Sequence, residues 1–142
     1  MFEIIQRQHA DILQLAQKIS MYNSIPKVRE NAFDISLLLG ALSGKLSMHL
    51  ASEDQFIYPC LMKKQDPKIQ ETSKQFASEM GSLAQIFGDF KNKYLGDVKI
   101  KNAPGEFLGE SGKVMEAIRK RIVREEKYLY PLLDQNHGTL SS

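Results

Sequence analysis

The sequence predicts an all-α fold, an up-down-up-down four-helix bundle, on three observations. Breakers cut the 142 residues into four long stretches. No stretch alternates apolar and polar residues as a half-buried strand would, and each carries one apolar seam at steps of three and four. The short connections favour antiparallel neighbours, and the length is that expected of a single domain, 1–142, with one core.

The first helix, about 2–21, ends before Ser24-Ile25-Pro26 and turns Ile5, His9, Ile12, Ala16 and Ile19 inward. The second, about 27–63, runs to Gln65-Asp66-Pro67, and its seam is Ile35, Leu38, Leu42, Leu46, His49, Glu53, Phe56 and Cys60. The third, about 67–94, opens on Pro67, a first-turn position where the missing N–H would be unpaired in any case. Its seam is Ile69, Ser73, Phe76, Met80, Leu83, Phe87, Phe90 and Tyr94. A breaker segment from Gly96 to Gly105 precedes the fourth, about 104–134, with Phe107, Ser111, Val114, Ile118, Arg121, Glu125, Tyr128 and Leu132 inward. Residues 135–142 read as a polar tail in which His137 is solvated.

With 42% hydrophobic and 25% charged residues, the composition excludes collagen-like, disordered and disulfide-scaffold classes. The formal charge of +2 is too small to point to nucleic acid or an anionic membrane. The basic residues Arg119, Lys120 and Arg124 scatter around their helix and form no patch. Cys60, the single cysteine, closes no internal disulfide and reads as a buried small hydrophobe. Glu3, Arg7, His9 and Asp11 interrupt the N-terminal apolar residues, unlike a signal peptide, and no uncharged apolar run approaches the roughly 20 residues of a membrane span. These features lead to the expectation of a cytoplasmic protein with neither nucleic acid nor membrane as partner; a protein partner or a homodimer stays open.

Five residues fall on the wrong face. His9, His49, Glu53, Arg121 and Glu125 lie on core seams, where an unpaired charge costs several kcal/mol, so they must compensate one another or hold something. His49 and Glu53, four apart on one helix, point the same way and can share a metal ion. Such a pair alone is common. A repeat adds weight: His49-Leu-Ala-Ser-Glu53-Asp54-Gln-Phe56-Ile57-Tyr58-Pro59 recurs 72 residues later as Arg121-Ile-Val-Arg-Glu125-Glu126-Lys-Tyr128-Leu129-Tyr130-Pro131. Pro59 and Pro131 should loosen or end each helix just beyond its acidic pair. A helix-hairpin duplication kept for packing explains the Tyr-Pro pairs better than it explains two core carboxylates.

On these residues, His9, the His49-x-x-x-Glu53 segment with its Tyr-Pro tail, and Glu125 with its matching tail, the chain resembles the hemerythrin-like, or HHE cation-binding, family over nearly its whole length. The resemblance implies a bundle holding two non-haem irons, or a similar metal pair, bridged by two carboxylates, in proteins that carry or sense O2, store iron or respond to redox stress. It also implies histidines where this chain has Met80, after Glu79, and Arg121, four before Glu125. Both missing histidines belong to one metal, whereas His9 and His49 belong to the other. A thioether is a poor ligand for ferrous iron and a guanidinium binds no metal, so the residues do not support a complete di-iron centre.

Arg121 is expected to put its fixed charge where the lost ion would be, pairing with Glu125 or Glu53 through two parallel hydrogen bonds. What remains is either a mononuclear site of His9, His49 and Glu53, joined by Glu125, for iron or another divalent metal, or a metal-free core. Met80 reads as a core gap-filler, and Tyr58 and Tyr130 as packing residues. The functional reading is a metal-, oxygen- or redox-linked binding protein and not a catalyst with turnover. The alternatives are a metal-free regulatory or protein-interaction bundle, and a mononuclear non-haem metal enzyme, for which Phe76, Phe87, Tyr128 and Leu132 leave no evident cavity.

Overall fold

The structure, a computed structural model, describes residues 2–134. Helix α1 spans Phe2–Ser20, α2 Ile25–Glu30, α3 Ala32–Ser52, α4 Tyr58–Met62, α5 Pro67–Tyr94, α6 Asp97–Asn102 and α7 Pro104–Arg124. No strand occurs among the described residues. Helix starts carry local signals. Ser24 Oγ accepts from the Lys27 N–H, Asp66 accepts from the N–H groups of Lys68 and Ile69, and Pro67 and Pro104 occupy first turns as expected. Polar pairs fix antiparallel neighbours: Lys45 with Asp11 and Gln8 with Ser52 join α1 to α3, while Arg124 with Glu79 and Lys93 with Glu110 join α7 to α5. The expected tail with His137 lies outside the described residues.

The second and fourth stretches are not the unbroken helices expected. Asn31 interrupts the second, because its side-chain amide donates to the Lys27 carbonyl at 2.8 Å and competes with the helical ladder. The breaker segment contains α6, whose Ile100 is fully buried; Gly96, at φ 116°, makes the left-handed turn before it and donates its N–H to Ser36 Oγ at 2.9 Å.

The larger departure is shared by both copies of the repeat. Glu53–Ile57 and Glu125–Leu129 are π-helical, with the N–H of Tyr58 and of Tyr130 reaching back to the carbonyl of Glu53 and of Glu125. Each widened turn lies just ahead of a proline, whose ring clashes with the carbonyl four residues back and which offers no N–H. The first copy resumes as α4 and the second tightens into a 3-10 segment, Tyr130–Asp134.

A π turn takes up one extra residue, so the inward register slips by one. Phe56, Cys60 and Tyr128, expected inside, are exposed, and Ile57, Leu61, Leu129 and Tyr130 are buried in their stead. Cys60 is therefore a surface thiol and not a core residue. Leu39 likewise is more deeply buried than the expected Leu38. The remaining seams of α1, α5 and α7 are buried as expected, with Leu83 only partly covered.

Buried apolar side chains form two clusters. One runs from Ile12 and Ala16 through Leu39, Phe90 and Phe107 to Ile122; the other joins Ile5, Ile57, Leu61, Ile69, Phe76 and Leu129. The buried polar residues His9, His49, Glu53, Arg121 and Glu125 belong to neither. By length and composition alone the helical run Ala32–Met62 is apolar enough to cross a membrane, although Asp34, Lys45, Glu53 and Asp54 interrupt it; one side of it supplies Ile35, Leu39, Leu42 and Leu46 to the core together with His49 and Glu53.

Candidate metal centre

All five residues singled out on the seams meet in one buried group. Nε2 of His9 lies 3.3 Å from Nε2 of His49, and the two nitrogens lie 2.9 and 3.1 Å from Glu125 Oε1. Glu53 Oε2 lies 3.3 Å from His49 Nε2. The expected set was His9, His49 and Glu53 with Glu125; among the described residues, His9, His49 and Glu125 bring possible ligand atoms within 4.8 Å of one another.

The outer ring nitrogens are committed elsewhere. His9 Nδ1 is 2.8 Å from Glu126 Oε2, an acceptor, so this nitrogen carries the proton. His49 Nδ1 lies 3.0 Å from Gln8 Oε1, and the Gln8 amide donates to Ser52 Oγ at 3.0 Å, which orients Gln8 with its carbonyl towards the imidazole. Both rings therefore turn Nε2 inward, the tautomer that outer acceptors impose on metal-binding histidines. A third inward group comes from the Tyr-Pro pair. Tyr130 Oη lies 2.8 Å from both Glu53 Oε2 and Glu125 Oε1, and 3.1 Å from His9 Nε2.

Tyr58 and Tyr130, expected to pack, instead complete two related halves. Tyr130 faces His49 at 3.5 Å, and Tyr58 accepts from Nη2 of Arg121 at 3.0 Å. In the repeat His49 corresponds to Arg121, Tyr58 to Tyr130 and Glu53 to Glu125, so each tyrosine serves the first residue of the opposite copy. Arg121 thus sits in the half equivalent to the one His49 occupies. Its Nε donates to Glu125 Oε2 at 2.8 Å; this is one hydrogen bond where two parallel ones were expected, because Nη2 is turned to Tyr58. The guanidinium also stacks 4.8 Å from the centre of Phe76, with Arg124 at 4.7 Å. Glu125 accordingly bridges, one oxygen to the histidines and the other to a permanent cation. Met80 is buried on α5, one turn beyond Phe76, as expected of a gap-filler.

Charge follows from these contacts. Burial alone would raise Glu125, yet hydrogen bonds from His49 and His9 hold it well below the usual 4.5, whereas burial, reinforced by the neighbouring Glu125 charge, raises Glu53. Burial and the flanking carboxylates push Tyr130 far up, so it stays a phenol. A phenol carries one proton. Its hydroxyl is within donating distance of both Glu53 Oε2 and Glu125 Oε1. Burial alone would lower His49, but its hydrogen bonds to Glu125 and Glu53 raise it from 6.5 to about 9.

A pH dependence follows for the metal-free protein. His49 contributes stability that is fully present below pH 6.5 and lost as pH rises through about 9. The loss is on the order of 3 kcal/mol, and the raised Glu53 acts in the same direction at lower pH. Denaturant unfolding with chelator present should show stability falling across that window; a flat profile would contradict the assignment.

The donor set fits one metal ion. Ligand atoms about 2.0–2.1 Å from a shared ion lie roughly 2.8–3.4 Å from one another in octahedral or tetrahedral shells, a range that spans the 2.9, 3.1 and 3.3 Å edges of the trio. Among the described residues two buried side-chain atoms lack a hydrogen-bond partner, Glu53 Oε1 and Arg121 Nη1; the first is a further available oxygen. On the far side of Glu125 stands the Arg121 guanidinium, which offers no lone pair to a metal.

The sequence singled out the inward donors but not Gln8 or Glu126, the latter visible only as half of an acidic pair. Tyr58 and Tyr130 are within the reach of the site that the repeat suggests, but their Tyr-Pro setting favours the packing role over the hydroxyl contacts that the structure shows. A family model described as the hemerythrin HHE cation-binding domain matches residues 1–133. No curated protein and no solved structure matches the chain.

Proposed function

The chain belongs to the hemerythrin HHE cation-binding domain family, and from that premise we propose that it binds a single divalent metal through His9, His49 and Glu125, with Glu53 as an additional carboxylate. One observation carries this reading. Two imidazoles, each with its Nδ1 held by an outer acceptor, turn Nε2 towards each other at 3.3 Å beside a carboxylate oxygen. Two lone pairs so placed repel unless a cation, a metal or a proton, lies between them. Two nitrogens and one carboxylate suit non-haem ferrous iron, and also Zn, Mn or Co.

The protein's own groups do the rest. Glu126 and Gln8 hold the imidazoles in register, the two apolar clusters keep water away, and Tyr130 keeps a phenolic proton beside both carboxylates. Arg121 supplies the charge of the absent second ion and leaves Glu125 Oε1 free to serve the histidines. Iron bound there would supply a redox couple and an affinity for O2, and we assign the protein a role in metal, oxygen or redox binding or sensing.

The test is a thermal shift. At 100 times the dissociation constant, ferrous iron or zinc should stabilise the fold by about 2.7 kcal/mol, and His49→Ala should abolish the shift. A shift that survives His49→Ala would overturn the assignment. The metal-free alternative rests on the raised proton affinity of His49, which lets a proton take the place of the ion. It requires that metal produce no shift at any pH, whereas a metal site strengthens as pH rises through about 9 and His49 loses its proton.

A further inference from the structure

The face of α3 turned away from the core is apolar along its whole length. Phe33, Leu37, Gly40, Gly44, Met48 and Ala51 recur at steps of three and four opposite the core seam, and none is charged. A helix packed on one side ordinarily shows polar residues to solvent. Here Phe33, Leu37 and Met48 are 61%, 59% and 57% exposed, and no described residue covers them. Gly40 and Gly44 lie between these side chains. A Cβ at either would meet nothing within 4 Å, so the fold of the chain gives no reason for two poor helix formers in mid-helix. Close approach of another backbone gives one.

We propose that this face is the contact between two copies of the chain, α3 against α3 across a two-fold axis near Gly40 and Gly44. A two-fold contact needs a patch complementary to itself. The stripe is of that kind: a saddle of small residues lies between bulky ends, so the bulky side chains of one copy straddle the glycines of the other. The three large side chains together offer on the order of 300 Å², the size at which an exposed apolar patch on a soluble protein marks an interaction site. Beside them a groove of about 770 Å³, lined by Met21, Leu38 and Ala41 and also by Lys18, Lys27 and Asp34, extends the patch towards the roughly 800 Å² per partner of a stable dimer. A bilayer fits less well, because Asp34, Lys45 and Asp54 flank the stripe where a membrane-seated helix carries rows of Lys and Arg, and Lys45 is already paired with Asp11 at 3.1 Å.

Sedimentation equilibrium of the full chain at about 50 µM should return twice the 16.1 kDa chain mass. Gly40→Ala with Gly44→Ala should weaken association at least tenfold. The same pair should leave thermal stability at high dilution equal or higher, since each methyl enters open space on a helix. Leu37→Lys should give monomer and serves as an independent reading should the glycine pair fail to fold. A monomeric wild type, association unchanged in these variants, or a monomer that floats with phosphatidylcholine vesicles would overturn the proposal, the last in favour of a lipid surface.

Discussion

Glu125→Ala is expected to destabilise the metal-free protein by about 3–5 kcal/mol, a fall of roughly 10–20 °C in Tm for a chain of this size. The effect is large because Glu125 contacts both imidazoles and the guanidinium of the site. Its Oε1 lies 2.9 and 3.1 Å from His9 and His49, and its Oε2 2.8 Å from Arg121. Without it the buried Arg121 retains only Tyr58 as a hydrogen-bond partner. Most of the cost should therefore vanish when the guanidinium is removed as well. In a double-mutant cycle, Glu125→Ala in an Arg121→Met background should cost less than half of what it costs alone. A cost that is the same in both backgrounds would mean that the two residues are not coupled.

Arg121→His together with Met80→His is expected to raise the metal content from one to two equivalents per chain. The repeat places Arg121 in the half equivalent to that of His49, facing Tyr58 as His49 faces Tyr130. Replacing it removes the cation that competes for Glu125 Oε2 and adds an imidazole, and α5 contributes a second at Met80. Either single change should leave the count at one, since one new nitrogen does not complete a second ligand set. The metal-free double variant should be less stable than the wild type, because Glu125 loses its permanent partner. Elemental analysis of protein grown with and without iron supplementation reads the outcome; an unchanged count would mean that Arg121 does not stand in for an ion.

The bundle and the inward set of His9, His49, Glu53, Arg121 and Glu125 were legible in the sequence, because seam spacing fixes which residues share a helix face and these are the charged ones among apolar neighbours. The site's supporting groups were not. Gln8 follows no apolar period, and its role exists only because α1 and α3 run antiparallel and bring it to His49. Tyr130 was hidden by the π turn, since an unbroken α-helical count puts Tyr128 inside and leaves Tyr130 a packing residue. The prolines beyond each turn imply a loosened helix, but spacing alone does not say whether a loosened helix ends, kinks or absorbs one residue. That one residue decides which tyrosine reaches the carboxylates.

The Arg121 contact shows the same division. Its inward direction and its partner Glu125 followed from spacing, but a guanidinium turned to use both Glu125 and Tyr58 required the position of the opposite copy of the repeat.

Anaerobic titration with ferrous iron, followed by elemental analysis of the washed protein, tests the central claim most directly. A site completed on one side by His9, His49 and Glu125 and closed on the other by Arg121 should bind one equivalent in the wild type and none in His49→Ala. Two equivalents with the visible bands of an oxo-bridged pair, or no bound metal in the wild type, would contradict it.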